Sequence, residues 1–186
     1  MAFLFVCGII AAKEVRGSGS KRKRLRVLSL LGKGKGGYSW LAERDGKRFV
    51  LKEIHHEPCD YYTFGDKIES ERRDYGLLCA AGIRVPEMLD IDIENERILK
   101  EYIEGPTAME LVQAESLPDW AIAAAADMAA LAMGAGLNID YYPTNFILRG
   151  GELWYIDYEC NPYDPQWDFE NWGKTFWLSP PHCADN

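Results

Sequence analysis

The chain has 186 residues, 47% of them apolar and 27% charged, with a formal net charge of −8 at pH 7. That is enough for one sizeable core or two small lobes, but not for two independent domains. The acidic balance argues against general nucleic-acid binding, which depends on clustered Lys and Arg.

Residues 1–12 are apolar but hold no basic region at their N-terminal side, which makes a poor signal peptide. They are also too short to span a bilayer, which takes about twenty residues. An extension over 1–24 is expected, either disordered or docked on the first lobe. Within it, Gly17-Ser18-Gly19-Ser20 precedes the basic run Lys21-Arg22-Lys23-Arg24-Leu25-Arg26. Such a run could touch anionic lipid, RNA or an acidic partner, and a solvated linker is the simpler expectation. The five cysteines are scattered, odd in number and without a C-x-x-C pair, which predicts reduced thiols in a cytoplasmic protein.

Strands are predicted near 25–31, 38–43, 48–54, 88–92 and 97–102, with a helix over 64–81 that stops at Gly82. The turn Asp45-Gly46-Lys47 joins the second and third strands. Just before that hairpin, Gly32, Gly34 and Gly37 give G-x-G-x-x-G spacing within Gly32-Lys33-Gly34-Lys35-Gly36-Gly37. Glycines so spaced let backbone N–H groups approach phosphate oxygens without Cβ interference. A dinucleotide fold would lead from this loop into a helix, and a Walker loop would end in Gly-Lys-Ser/Thr; neither continuation is present. Lys52 ends the apolar run Phe49-Val50-Leu51, where an ammonium needs anions around it. Phosphate and a carboxylate from the next helix would satisfy it. Glu71 is the candidate and Glu69 the alternative; about 200° apart on the helical wheel, only one of them can face Lys52. His55, His56 and Cys59 fall one ligand short of a structural zinc site and are expected in the loop before the helix.

In the second half, residues 120–135 form an Ala-rich, almost wholly apolar helix. Asp127 interrupts it, which argues for a core helix rather than a membrane span. Asp140-Tyr141-Tyr142-Pro143-Thr144-Asn145 follows, and then Leu153-Trp154-Tyr155-Ile156-Asp157. A hairpin through Arg149-Gly150-Gly151-Glu152 would bring Asn145 and Asp157 to the same end of a small sheet. One amide and one carboxylate suffice for Mg²⁺, which keeps several waters and takes phosphate oxygens. Residues 165–173 are predicted to form a short helix, with Trp167 and Trp172 closing the lobe.

In this order and spacing, the glycine loop, Lys52, Glu71, Asp140, Asn145 and Asp157 resemble the protein-kinase-like superfamily. The chain is nearer to its RIO-type, lipopolysaccharide-core-type and aminoglycoside-phosphotransferase-type members than to standard protein kinases. The resemblance runs from about Leu28 to Asp168 and rests also on Ala80-Ala81-Gly82-Ile83-Arg84-Val85-Pro86 and on Ile98-Leu99-Lys100-Glu101-Tyr102-Ile103-Glu104-Gly105. It implies an α+β fold with two miniature lobes: an ATP-binding lobe over 25–104, an antiparallel sheet plus one helix, and a reduced helical lobe over 105–186. It further implies that Gly32, Gly34, Gly36 and Gly37 cover the ATP phosphates, that Lys52 holds them with Glu71 behind it, that backbone groups of Glu101 and Tyr102 meet adenine, that Asp140 orients the acceptor hydroxyl, and that Asn145 and Asp157 hold Mg²⁺. Counting back from Gly82 in the family pattern favours Glu71 over Glu69. Asp168 resembles the family's brace of the catalytic loop, with an ordinary surface acid as the plain alternative.

Departures from the pattern are Asn138 for the usual His, Ile139 for Gly or Arg, Tyr142 for the catalytic-loop Lys and Ser39 for the Val after the glycine loop. The 29 residues after Asp157 leave no room for a standard activation segment and helical platform. The expected function is therefore an ATP- and Mg²⁺-dependent phosphotransferase acting on a protein Ser/Thr hydroxyl or a small-molecule hydroxyl. The alternative is a pseudokinase or scaffold that binds nucleotide or a protein partner without turnover.

Overall fold

A computed structural model of the chain describes residues 25–34, 36–57 and 65–179. The extension over 1–24 with most of the basic run, Lys35, Cys59 and the predicted helix start near residue 64 lie outside the described residues. The chain is α+β, with an N-terminal five-stranded antiparallel sheet and a few helices. It divides into two compact units: Met1–Ile68 with Met88–Tyr102, and Glu69–Glu87 with Ile103–Asn186. These units are interleaved in sequence, whereas the sequence predicts a single cut after residue 104.

In the first unit, β1 (Arg26–Gly34), β2 (Gly37–Arg44), β3 (Lys47–Ile54), β4 (Met88–Asp92) and β5 (Arg97–Glu101) lie in the order β1-β2-β3-β5-β4. Asp45 and Gly46 have φ of 53° and 74°, the doubly left-handed turn that matches strand twist and that Asp-Gly accommodates. Leu25, Val27, Ala42, Leu51 and Leu99 form the core under the sheet, with Trp40 and Phe49 packed at its margin. β1 extends three residues beyond the expected 25–31 and is irregular between Val27 and Ser29 and between Leu30 and Gly32. Gly32 and Gly34 are therefore strand residues, paired with Ser39 and Gly37.

Most of α1 (Lys67–Ala80) belongs to the second unit. Gly82, at φ 79°, ends it by donating to the Cys79 carbonyl while Ile83 reaches back to Leu78, a left-handed cap that glycine makes without a Cβ penalty. Then come α2 (Ala108–Gln113), α3 (Asp119–Gly134), β6 (Leu137–Ile139), β7 (Phe146–Arg149), β8 (Glu152–Tyr155), β9 (Cys160–Pro162) and α4 (Lys174–Leu178). β7 pairs with β8, and β6 pairs with β9. α3 buries the stripe Ala121, Ala125, Met128 and Ala132 and leaves Trp120, Leu131 and Met133 exposed, so the helix expected in the core meets it along one face. Instead of one short helix, residues 165–178 make a 3-10 turn (Pro165–Trp167), a π-type turn (Phe169–Gly173) and α4. Trp177 is the buried tryptophan there, whereas Trp167 is half exposed. Among the described residues no helix is long and apolar enough to cross a membrane.

Candidate functional site

In the first unit the glycine hairpin and Lys52 are neighbours. β2 pairs with β3 so that Gly37 stands opposite Ile54 and Ser39 opposite Lys52. A Cβ on Gly37 would lie 3.0 Å from the Glu53 carbonyl oxygen and 3.3 Å from Lys52 Cε, so any larger residue would have to push one of them aside by a few tenths of an ångström. Gly32 and Gly34 face open space or van der Waals contact, and Gly36 lies against the flexible end of Lys67. Lys52 is half-buried. His55 closes the base of the hairpin: its N–H donates to the Gly36 carbonyl at 3.1 Å, and its Nε2 lies 3.2 Å from the Gly34 carbonyl. Glu57 takes hydrogen bonds from Lys33 and the Tyr38 hydroxyl; these partners hold its carboxyl below the usual range and raise the Lys33 ammonium. His56 pairs with Glu96 at 2.7 Å. Among the described residues no group of three or more His, Cys, Asp and Glu side chains is suited to a metal ion. Glu101 ends β5 opposite Phe49, and Tyr102 is the last residue of the unit.

In the second unit, α1 presents Glu71, Asp74 and Leu78 on its buried stripe. Glu71 is 5% exposed, whereas Glu69 lies nearer the surface and pairs with Arg72 one turn on. Of the two alternatives, Glu71 is the buried carboxylate.

The loop from Asp140 to Asn145 follows β6. Asp140 is exposed; its Oδ1 accepts the Tyr142 N–H at 3.0 Å, and its carbonyl accepts from Asn145 Nδ2 at 3.3 Å. Asn145 ends a 3-10 turn, Pro143–Asn145, whose proline suits the first helical position. Pairing of Phe146 with Tyr155 sets Asn145 beside Ile156, whose N–H donates to the Asn145 carbonyl at 2.8 Å. Asp157 is the next residue, and its Oδ1 accepts the Tyr158 N–H at 2.8 Å. The tight turn between β7 and β8 has φ of 60° at Gly150 and 80° at Gly151. Asp140, Asn145 and Asp157 are thus gathered at one end of the β7–β8 hairpin. The donor chemistry fits a hard divalent cation: binding its Nδ2 inward leaves Asn145 with its amide oxygen to offer, beside the Asp157 carboxylate.

Residues not singled out from sequence support this loop. Trp177 Nε1 donates to the Tyr141 carbonyl at 2.8 Å. A Cβ on Gly173 would come within 2.4 Å of Tyr141 Cβ, so glycine permits the close approach. Tyr141 is buried beside Phe169, and burial pushes its phenol up to about 12. A glycine among the aromatics of 167–177 was the available signal. Asp168 caps the Phe169–Gly173 turn through the Asn171 N–H at 2.7 Å and accepts from the Tyr163 hydroxyl at 3.2 Å. Asn138 is buried and donates to the Asp164 carbonyl at 2.7 Å.

No protein-family model matches the sequence, and comparison with curated proteins finds no match.

Proposed function

We propose that the chain is an ATP- and Mg²⁺-dependent phosphotransferase. The observation that carries the proposal is the convergence of Asp140, Asn145 and Asp157 at one end of the β7–β8 hairpin, each held by hydrogen bonds to the backbone. Phosphoryl transfer asks a protein for positioning and electrostatic stabilisation rather than covalent chemistry, and those residue types supply both. In this reading Asp140 accepts the hydrogen bond of the acceptor hydroxyl and takes its proton as the new O–P bond forms. The bond from the γ-phosphorus to the β-phosphate bridging oxygen breaks, and ADP leaves. Asn145 and Asp157 would hold Mg²⁺, which when bound neutralises phosphate charge. Gly34, Gly36 and Gly37 offer backbone N–H groups to phosphate, with Gly32 opening the hairpin. Lys52 binds the α- and β-phosphates, and Glu101 and Tyr102 offer backbone groups to adenine. The acceptor class is a protein Ser/Thr hydroxyl, with a small-molecule hydroxyl as the variant.

The test is transfer from γ-labelled ATP by wild type and Asp140→Asn, with ATP affinity measured by calorimetry with and without Mg²⁺. Asp140→Asn is expected to lose at least about a hundredfold in rate, the lower range for a lost general base, while keeping its ATP affinity. A wild-type rate in Asp140→Asn sinks the assignment.

A scaffold reading is favoured by the outward apolar residues of α3, Trp120, Leu131 and Met133, a surface composition suited to a protein partner. Absence of any Asp140-dependent transfer would put that reading first.

A further inference from the structure

We propose that Tyr155 is the positioning residue for Asp140, an inference that rests on the phosphotransferase reading. Tyr155 is fully buried at the end of β8, and its ring packs against Phe146 at 5.3 Å between centroids. A phenylalanine would fill that space equally well, so the hydroxyl has a separate task. It accepts the Asp140 N–H at 3.3 Å and donates to the Glu159 carbonyl at 2.8 Å. One oxygen thereby ties the backbone of the acceptor-side carboxylate to the segment two residues beyond Asp157. The Asp140 side chain has a bond of its own from the Tyr142 N–H, so its direction depends on where the backbone of residue 140 stands. The opposite end of Tyr155 is fixed as well, because its own N–H donates to the Arg84 carbonyl at 3.0 Å. A buried phenol without both partners would cost more than an apolar ring, so the two bonds account for a tyrosine at this position.

Tyr155→Phe removes both bonds and leaves the ring. The expected result is a fall of about tenfold in kcat with KM for ATP within about twofold, since a displaced Asp140 affects the reacting hydroxyl and not the nucleotide. Amide hydrogen exchange on the same proteins gives a readout independent of turnover: Asp140 should lose protection while the β7 and β8 amides keep theirs. Unchanged protection at Asp140 overturns the tie, and lost protection with unchanged kcat overturns its positioning role. If Tyr155→Phe does not fold, Tyr155→4-aminophenylalanine keeps the donor to Glu159 and weakens the acceptor for the Asp140 N–H; the same fall in kcat is expected, and a wild-type kcat overturns the proposal. A wild type that transfers no phosphate, with Asp140 protection still lost in the variant, overturns the phosphotransferase reading and leaves the tie standing.

Discussion

Lys52 has its stem close against Gly37, where a Cβ would force a neighbour to give way, and this separates the glycines of the motif into two kinds. A methyl at Gly37 would meet the Glu53 carbonyl at 3.0 Å and Lys52 Cε at 3.3 Å, whereas a methyl at Gly32 would meet nothing within 4 Å. Gly37→Ala is therefore expected to cost about 1–3 kcal/mol, the range for overpacking, and Gly32→Ala to stay within about 0.5 kcal/mol; urea unfolding of the two variants measures both. Equal costs would show that spacing alone, and not the approach of Lys52, decides where glycine is needed. Gly37 was legible from the G-x-G-x-x-G spacing. Gly173 was not, because its constraint comes from Tyr141, more than thirty positions earlier in the chain, and no local pattern announces a partner at that separation. Glu71 lies between these cases. Helical periodicity reduced the choice to Glu69 or Glu71, and burial of the stripe through Asp74 and Leu78 identifies which of the two is enclosed.

At the scale of elements, the two hairpins with Asp-Gly and Gly-Gly turns were legible because the two-residue turn itself fixes the register. The sequence also carried a signal for α2 that went unused. Thr107 and Glu110 form a reciprocal capping box, with the Thr107 N–H bonded to Glu110 Oε2 at 2.7 Å and the Glu110 N–H to Thr107 Oγ1 at 3.2 Å. A six-residue helix is too short for hydrophobic periodicity to register, and the cap was the readable part. The glycine hairpin shows a contact of another sort, the Lys33–Glu57–Tyr38 cluster, whose partners come from the turn side of β1, the start of β2 and the residues after β3. The Glu57 carboxyl is lowered from 4.5 by its bonds to Lys33 and Tyr38, so its contribution is present above 4.5 and is lost as pH falls through the depressed value. The Lys33 ammonium is raised from 10.5 by the same contacts, so its contribution is present below 10.5 and is lost as pH rises through the raised value. Both side chains are exposed and screened by solvent, so the effect belongs to the hairpin and not to global stability. The Tyr38 ring resonances should therefore shift on acidification below 4.5 in wild type and not in Glu57→Gln; an identical acid shift in the variant would show that another group governs the hairpin.

For the molecule as a whole, the pattern of strand and helix signals along the chain pointed to a sheet followed by helices, but not to the way the chain is shared between two units. Residues 69–87 follow the early strands in sequence and yet cluster with residues 103–186. Which unit a helix joins is set by side chains remote in sequence, and periodicity reports only that the helix has a face to bury. Charge, by contrast, is readable at this scale. The chain carries −8, and residues 140–186 hold eight acidic against two basic side chains. A polyanion such as free ATP approaches that field at a disadvantage, and Mg²⁺ held by Asn145 and Asp157 would offset it where the phosphates lie. Binding to the folded chain alone stabilises it by about 2.7 kcal/mol at a hundredfold excess over Kd. For a chain of this size that corresponds to a rise in Tm of roughly 5–10 °C. MgATP should produce such a rise, ATP with a chelator only a small part of it, and Asp157→Ala should respond to MgATP no more than wild type does to ATP alone. Duplex DNA should give no shift that salt removes, because a net charge of −8 opposes the approach of a polyanion. A rise of the same size with and without Mg²⁺ would remove Asn145 and Asp157 from the metal role and leave Lys52 with the glycine hairpin as the only phosphate-binding group in the proposal.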